Sequence, residues 1–184
     1  MADGPFAEAG PPDGEPDGPG HLAFLSLGAN IGDRQGTLAR ALEMIAETPG
    51  ISLLRTSGFY ATDPVGYLEQ PEFVNSAAVI RTVLAPVELL ERLREIELKL
   101  GRIRRRKWHE REIDIDIILI DDLVIRTERL TVPHPEMQHR AFVLVPLAEI
   151  APEARHPLLR KTVREILGDL ADTAGIRMMG STGP

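Results

Sequence analysis

Residues 113–120 read Ile-Asp-Ile-Asp-Ile-Ile-Leu-Ile. In a β-strand alternate side chains share a face and stand ~6.5–7 Å apart. Asp114 and Asp116 therefore share one face, while Ile113, Ile115 and Ile117 bury the other. The run then becomes wholly apolar, the pattern of a central strand. The pattern predicts a strand deep in a sheet, with two carboxylates at its mouth.

The neighbouring patterns say what surrounds that strand. Leu22 to Leu27 is a short apolar run closed by Gly28-Ala29-Asn30, a strand ending in a turn. Leu38, Ala41, Leu42 and Ile45 follow helical spacing between Asp33 and Glu47, and Pro49-Gly50 stops that helix. Ile51–Ala61 and Phe73–Val83 are β-like, separated by a loop from Thr62 to Pro71. Pro86 opens a helix with the stripe Leu89, Leu90, Leu93, Ile96 and Leu100, and Gly101 stands where a C-terminal cap belongs. After the strand at 113–120, Asp121-Asp122 is a turn signal and Leu123–Arg126 a short β-like piece. Arg140–Ile150, despite Pro146, and Thr162–Leu170 are predicted helices. The order β-α-β-β-α-β with additions predicts an α+β fold, a ferredoxin-like sandwich with helices on one face of an antiparallel sheet.

Length and charge set the organisation. The chain has 184 residues, a length that suits one compact domain. Residues 1–20 hold five Gly, five Pro and five acids and no Lys or Arg. They read as a disordered acidic tail, followed by a single domain over 21–171 and a loose C-terminal tail over 172–184. The tail carries most of the net charge of −7, so the domain is close to neutral and general polyanion binding is not supported. The chain has no cysteine, which excludes disulfides, thiol nucleophiles and zinc–cysteine sites. No apolar run approaches the ~18–20 residues that span a bilayer. No signal-peptide pattern is visible, and a cytoplasmic location is the expectation.

Paired carboxylates at the mouth of a strand repel each other, and a hard cation such as Mg²⁺ relieves the repulsion. A solvated edge face neutralised by arginines is the alternative. Just before the pair, Arg102, Arg104, Arg105, Arg106, Lys107 and Arg111 fall within ten positions. Arginine forks grip phosphate oxygens, and carboxylates hold the ion that bridges phosphates. The combination points to polyphosphate chemistry; a solvated basic loop or a weak nucleic-acid patch is the plainer reading. Trp108 lies inside this charged loop, His134 lies between Pro133 and Pro135, and Asn75 lies near Phe73. Each has a structural reading as good as a functional one. No P-loop, G-x-S-x-G or H-E-x-x-H is present.

Six segments stand in order: L-G-A-N (27–30), F-Y-A-T-D-P-V-G (59–66), Q-P-E-F-V-N (70–75), I-E-L-K-L-G-R-I-R (96–104), W-H-E-R-E-I-D-I-D-I (108–117) and L-T-V-P-H-P-E-M-Q-H-R-A-F (130–142). From about Leu22 to Leu170 the chain resembles the 6-hydroxymethyl-7,8-dihydropterin pyrophosphokinases of folate biosynthesis. The resemblance implies transfer of the β,γ-pyrophosphoryl unit of ATP, the co-substrate, to the hydroxymethyl group of the pterin, with release of AMP and two Mg²⁺ ions taking part. It makes Asp114 and Asp116 the magnesium ligands. It makes Arg102 and Arg111 the residues that stabilise the moving phosphates. Glu97, Arg104, Trp108, Arg111, Ile117, Arg129, Thr131, His134 and Arg140 fall at ATP-site positions. By the same resemblance the pterin would lie between Phe73 and Phe142, with Thr62, Asp63, Val65, Asn75 and Asp114 on its polar edge. A monomer acting on small molecules, without nucleic acid or membrane, is what the resemblance suggests. His109-Glu110 replaces the usual Gly-Pro, which gives the loop more freedom and sets an anion beside Arg111. An RNA-binding module on the same framework and a kinase moving only the γ-phosphate are the rival readings. Aromatic residues at 4% and the absence of an RNP pattern count against the first; ADP as product distinguishes the second.

Overall fold

A computed structural model of the chain describes residues 20–63, 71–102, 112–173 and 175–179. Strand β1 (His21–Ala29) leads into helix α1 (Arg34–Ala46), whose N-cap Asp33 accepts the N–H of Gly36 at 3.0 Å. The predicted stripe Leu38, Ala41, Leu42 and Ile45 is its buried face. The β-like stretch 51–61 is two strands rather than one, β2 (Ile51–Thr56) and β3 (Tyr60–Thr62). The break is at Ser57. Its N–H donates to the Ala77 carbonyl at 2.9 Å, and its Oγ accepts the Ala77 N–H at 2.8 Å. A side chain here replaces a main-chain acceptor, which alternation of polar and apolar residues does not reveal.

Strand β4 (Phe73–Thr82) and helix α2 (Pro86–Lys99) follow. Pro86 fills the first helical turn, where a missing N–H is harmless, and Gly101 takes a φ of +88° just past the end. Strand β5 (Asp114–Ile120) carries the aspartate pair. Beyond it come a small hairpin of β6 (Ile125–Arg126) and β7 (Thr131–Val132), a 3₁₀ turn (Met137–His139) and helix α3 (Ala141–Ile150), which continues through Pro146. A second hairpin of β8 (Arg155–His156) and β9 (Lys161–Thr162) runs into α4 (Val163–Asp169), which opens with a Thr162/Glu165 capping box. Strand β10 (Ile176–Met178) ends the described chain.

The main sheet runs β10-β3-β4-β1-β5, with β2 also on β4, and every pairing is antiparallel. β2 and β3 share one side of β4 end to end, β2 along Ala78–Thr82 and β3 along Phe73–Asn75. With that pair counted as one strand, the order is the ferredoxin-like one expected.

Three expectations change. Helices cover both faces of the sheet, not one. α1 and α2 pack Leu38, Ile45, Leu89 and Leu93 against Leu25, Leu27, Ile80 and Ile115, while α3 and α4 pack Val143, Leu147, Val163 and Ile166 against Ala77, Val79 and Ile118. Next, β5 is an edge strand of this sheet, not a central one. Its apolar run reflects cover on both faces, and the N–H of His134 bonds part of its outer edge at the Ile118 carbonyl, at 2.9 Å. Finally, the segment after 171, expected to be loose, contributes β10, which pairs Ile176 with Thr62 and Met178 with Tyr60. Three residues are too few for a periodic signal. Among the described residues no helix is long and apolar enough to cross a membrane.

Candidate active site

The strand registers line up Tyr60, Asn75, Gly28 and Asp114 as successive neighbours across β3, β4, β1 and β5. By the two-residue period, Thr62, Phe73 and Asp116 lie on the same face as this row. It is the face that α3 and α4 cover further along, over Ala77, Val79 and Ile118. One end of the face is therefore apolar core, and the other carries an aromatic ring, an amide, a hydroxyl and two carboxylates.

On the β3–β4 side, Asn75 is buried and its Nδ2 donates to Thr62 Oγ1 at 2.7 Å. Gly28 makes room for this amide, since a Cβ there would stand 2.8 Å from Asn75 Oδ1. Phe73 is half-buried and pairs with Thr62 in the ladder. Asp63 is exposed, and its main-chain N–H donates to the Gly175 carbonyl at 3.2 Å. Phe142, in the first turn of α3, packs on the core of the same sheet face, with the Arg140 guanidinium 5.7 Å from its ring centre.

The charged side is built around Arg102, just past α2. Its guanidinium reaches Asp114 Oδ1 at 2.7 Å and pairs with Glu97, whose carbonyl also accepts the Arg102 N–H at 3.0 Å. Glu97 is 3% exposed and accepts the N–H of Ile115 at 2.7 Å. Burial raises its carboxyl to about 7, against the opposing pull of Arg102 and the Ile115 N–H. Burial works against the charge of Arg102 as well, but Asp114, Glu97 and Asp116 together outweigh it and hold its pKa above the ordinary value. Asp116 is thus within electrostatic reach of the same guanidinium.

His134 borders this cluster. Its Nδ1 accepts the Glu136 N–H at 3.1 Å, and its Nε2 is 3.5 Å from Arg140. Burial, then Arg140, lowers its pKa to about 4, while Glu136 and Asp114 pull the other way. The remaining candidates stand further apart. Ile117 is 4% exposed in the core under α1 and α2, so only its main chain can meet a ligand. Arg129 is exposed and pairs with Glu91 of α2, and Thr131 is exposed on β7. Val65, Arg104, Trp108 and Arg111 lie outside the described residues. A surface groove of about 820 Å³ between α1 and α2, lined by Arg40, Met44, Glu88, Arg92 and Lys99, contains none of the candidates.

Sequence reasoning missed the part played by Gly28, although it lies in the Leu-Gly-Ala-Asn segment, and missed Arg34, whose Nη1 donates to the Glu72 carbonyl at 2.5 Å. Nothing local marks either, because both contacts join residues far apart in the chain.

The family model for 7,8-dihydro-6-hydroxymethylpterin-pyrophosphokinase matches residues 24–152. The chain belongs to this family. It is an enzyme, a transferase of the pyrophosphokinase class. The 2-amino-4-hydroxy-6-hydroxymethyldihydropteridine pyrophosphokinase of Methylorubrum extorquens is 47% identical over 84% of this chain and 96% of its own length. The Bacillus subtilis protein of the same name is 46% identical over 71% of this chain and 78% of its own length. Among solved structures, an HPPK-DHPS complex with substrates superposes with a TM-score of 0.65 at 16% identity. Wild-type Plasmodium falciparum HPPK-DHPS with pterin and p-hydroxybenzoate gives 0.63 at 19%. These cover 82% and 84% of the pyrophosphokinase chain, which spans only 43% and 44% of theirs; at such identities the likeness is one of fold.

Proposed function

We propose that this enzyme transfers the β,γ-pyrophosphoryl group of ATP to the hydroxymethyl oxygen of 6-hydroxymethyl-7,8-dihydropterin in folate biosynthesis. The pterin oxygen bonds to the β-phosphorus, the bond from that phosphorus to the oxygen of AMP breaks, and the hydroxyl proton is released. The observation that carries the reading is the row Asn75, Gly28, Asp114, which sets a fixed amide beside a carboxylate–arginine cluster on one sheet face.

Asn75 and Thr62 suit the polar edge of a flat heterocycle, with Phe73 and Phe142 as its stacking faces. By the family resemblance the main chains of Asp63 and Val65 would serve the same edge, together with Asp114. Arg102 and Arg111 neutralise charge on the phosphates, with Glu97 holding the Arg102 fork in place. Arg104, Trp108, the main chain of Ile117, Arg129, Thr131, His134 and Arg140 form the nucleotide side. Phosphoryl transfer asks a protein for positioning and charge neutralisation rather than for a nucleophile, and this set supplies that.

The donor set suits magnesium. Asp114 and Asp116 are hard oxygen ligands on one face, and among the described residues no third His, Cys, Asp or Glu joins them. Mg²⁺ prefers such a site, keeping waters and taking phosphate oxygens for the rest of its shell. Two such ions, when bound, would offset the negative charge of the triphosphate. The protein acts on small molecules, as a cytoplasmic monomer without nucleic acid or membrane.

The test is a chromatographic product assay with ATP, Mg²⁺ and the pterin, each omitted in turn. AMP and a pyrophosphorylated pterin are expected only when all three are present. ADP as the product refutes pyrophosphoryl transfer in favour of γ-phosphate transfer.

A further inference from the structure

The family match ends at residue 152, yet the chain returns to the site beyond it. Ile176, Thr62 and Phe73 form one row across β10, β3 and β4. Arg177 is one position on, opposite Ala61, and so lies on the sheet face away from Asn75. From there its guanidinium pairs with Glu72 and stands 3.9 Å from Asp63. Asp63 directly follows β3, and Glu72 directly precedes β4.

β3 has only three residues, and its ladder to β4 stops at the Thr62–Phe73 pair. The end of so short a strand frays unless something beyond the ladder holds it. Here Asp63 bonds the Gly175 carbonyl, Glu72 is held by Arg34 through its carbonyl, and Arg177 joins the two strand ends through their carboxylates. Beyond the β10–β3 ladder, the Met179 N–H donates to the Phe59 carbonyl at 2.8 Å and fixes the other end of β3.

We propose that Arg177 is a positioning residue for pterin binding, setting the spacing of Thr62 and Phe73 from the opposite face of the sheet. This rests on the pterin placement proposed above. Both carboxylates and the arginine are exposed, and exposed ion pairs add little to folding stability. The effect is therefore on the geometry of the Thr62–Phe73 pair rather than on folding.

The experiment compares full-length wild type with Arg177→Ala, Arg177→Lys and the control Arg164→Ala, whose partner is Glu153. Steady-state constants are measured for both substrates. Pterin affinity is also read from pterin fluorescence with Mg²⁺ and a non-hydrolysable ATP analogue. For Arg177→Ala, KM and Kd for pterin are expected to rise about fivefold, with kcat, KM for ATP and melting temperature nearly unchanged. Arg177→Lys should recover part of the affinity, since the ammonium keeps the charge but lacks the rigid planar fork that spans the two carboxylates. Arg164→Ala should match wild type. Unchanged pterin affinity in Arg177→Ala, or an equal loss for both substrates with a lowered melting temperature, overturns the proposal. Phe73→Ala and Asn75→Ala separate the two ways of failing. If they weaken pterin binding and Arg177→Ala does not, only the positioning role falls. If none of them does, the pterin placement falls with it.

Discussion

The carboxylate of Glu97, on the last turn of α2, accepts the main-chain N–H of Ile115, the residue between the two aspartates of β5, at 2.7 Å. One buried side chain thus ties the helix end to the strand and, through Arg102, to Asp114. Glu97→Ala leaves the Ile115 N–H unpaired and Arg102 without its helix-side partner. It should cost about 2 kcal/mol of stability and lower kcat. Glu97→Gln keeps an acceptor for Ile115 and should cost less than half as much. Urea unfolding of both variants decides this, and equal losses would show that the hydrogen bond is not what matters.

Asp114→Asn and Asp116→Asn keep the size and polarity of the side chains but remove their charge. Each should reduce turnover by about 100-fold or more and shift the Mg²⁺ dependence to higher concentration. Their circular dichroism should match wild type, because neither aspartate is part of the apolar core. Activity within a few-fold of wild type at low Mg²⁺ would rule these residues out as ligands.

Gly28→Ala tests the crossing of β1 beneath the Asn75 amide. The added methyl meets Asn75 Oδ1 at 2.8 Å and has to displace an amide that Thr62 holds. The expected result is a rise in KM for pterin of about tenfold with KM for ATP little changed. An equal rise for both substrates would mean that the substitution disturbs the sheet as a whole.

His134 gives a pH signature of defined sign. Its folded pKa is about 4 against an ordinary 6.5. As pH falls through 6.5 the unfolded chain takes up this proton and the folded protein does not. Stability is therefore lost between pH 6.5 and 4, by at most about 3 kcal/mol from this group. His134→Asn should lose less stability than wild type between pH 7 and pH 4.5 in urea unfolding. Parallel losses in the two proteins would place the acid sensitivity elsewhere.

Much of this is legible in the sequence. The helices at 34–46 and 86–99 and the strands at 21–29, 73–82 and 114–120 follow from side-chain periodicity, a property of neighbours in the chain. The common face of Asp114 and Asp116 follows from the two-residue period alone. The family resemblance named Asn75, Arg102 and His134, but not what holds them.

What the sequence determined by itself is the buried face and local conformation of the longer helices and strands, because each depends on a few adjacent side chains. Only the tertiary structure decided partners. That β5 lies at an edge, that Ser57 splits a strand, that helices cover both faces and that Arg177 returns to Asp63 and Glu72 all depend on hydrogen bonds and ion pairs between distant segments. Periodicity reports that a face needs cover; it does not say which segment provides it. A three-residue strand such as β10 gains its stability from the strand beside it, so its own residues carry no pattern to read.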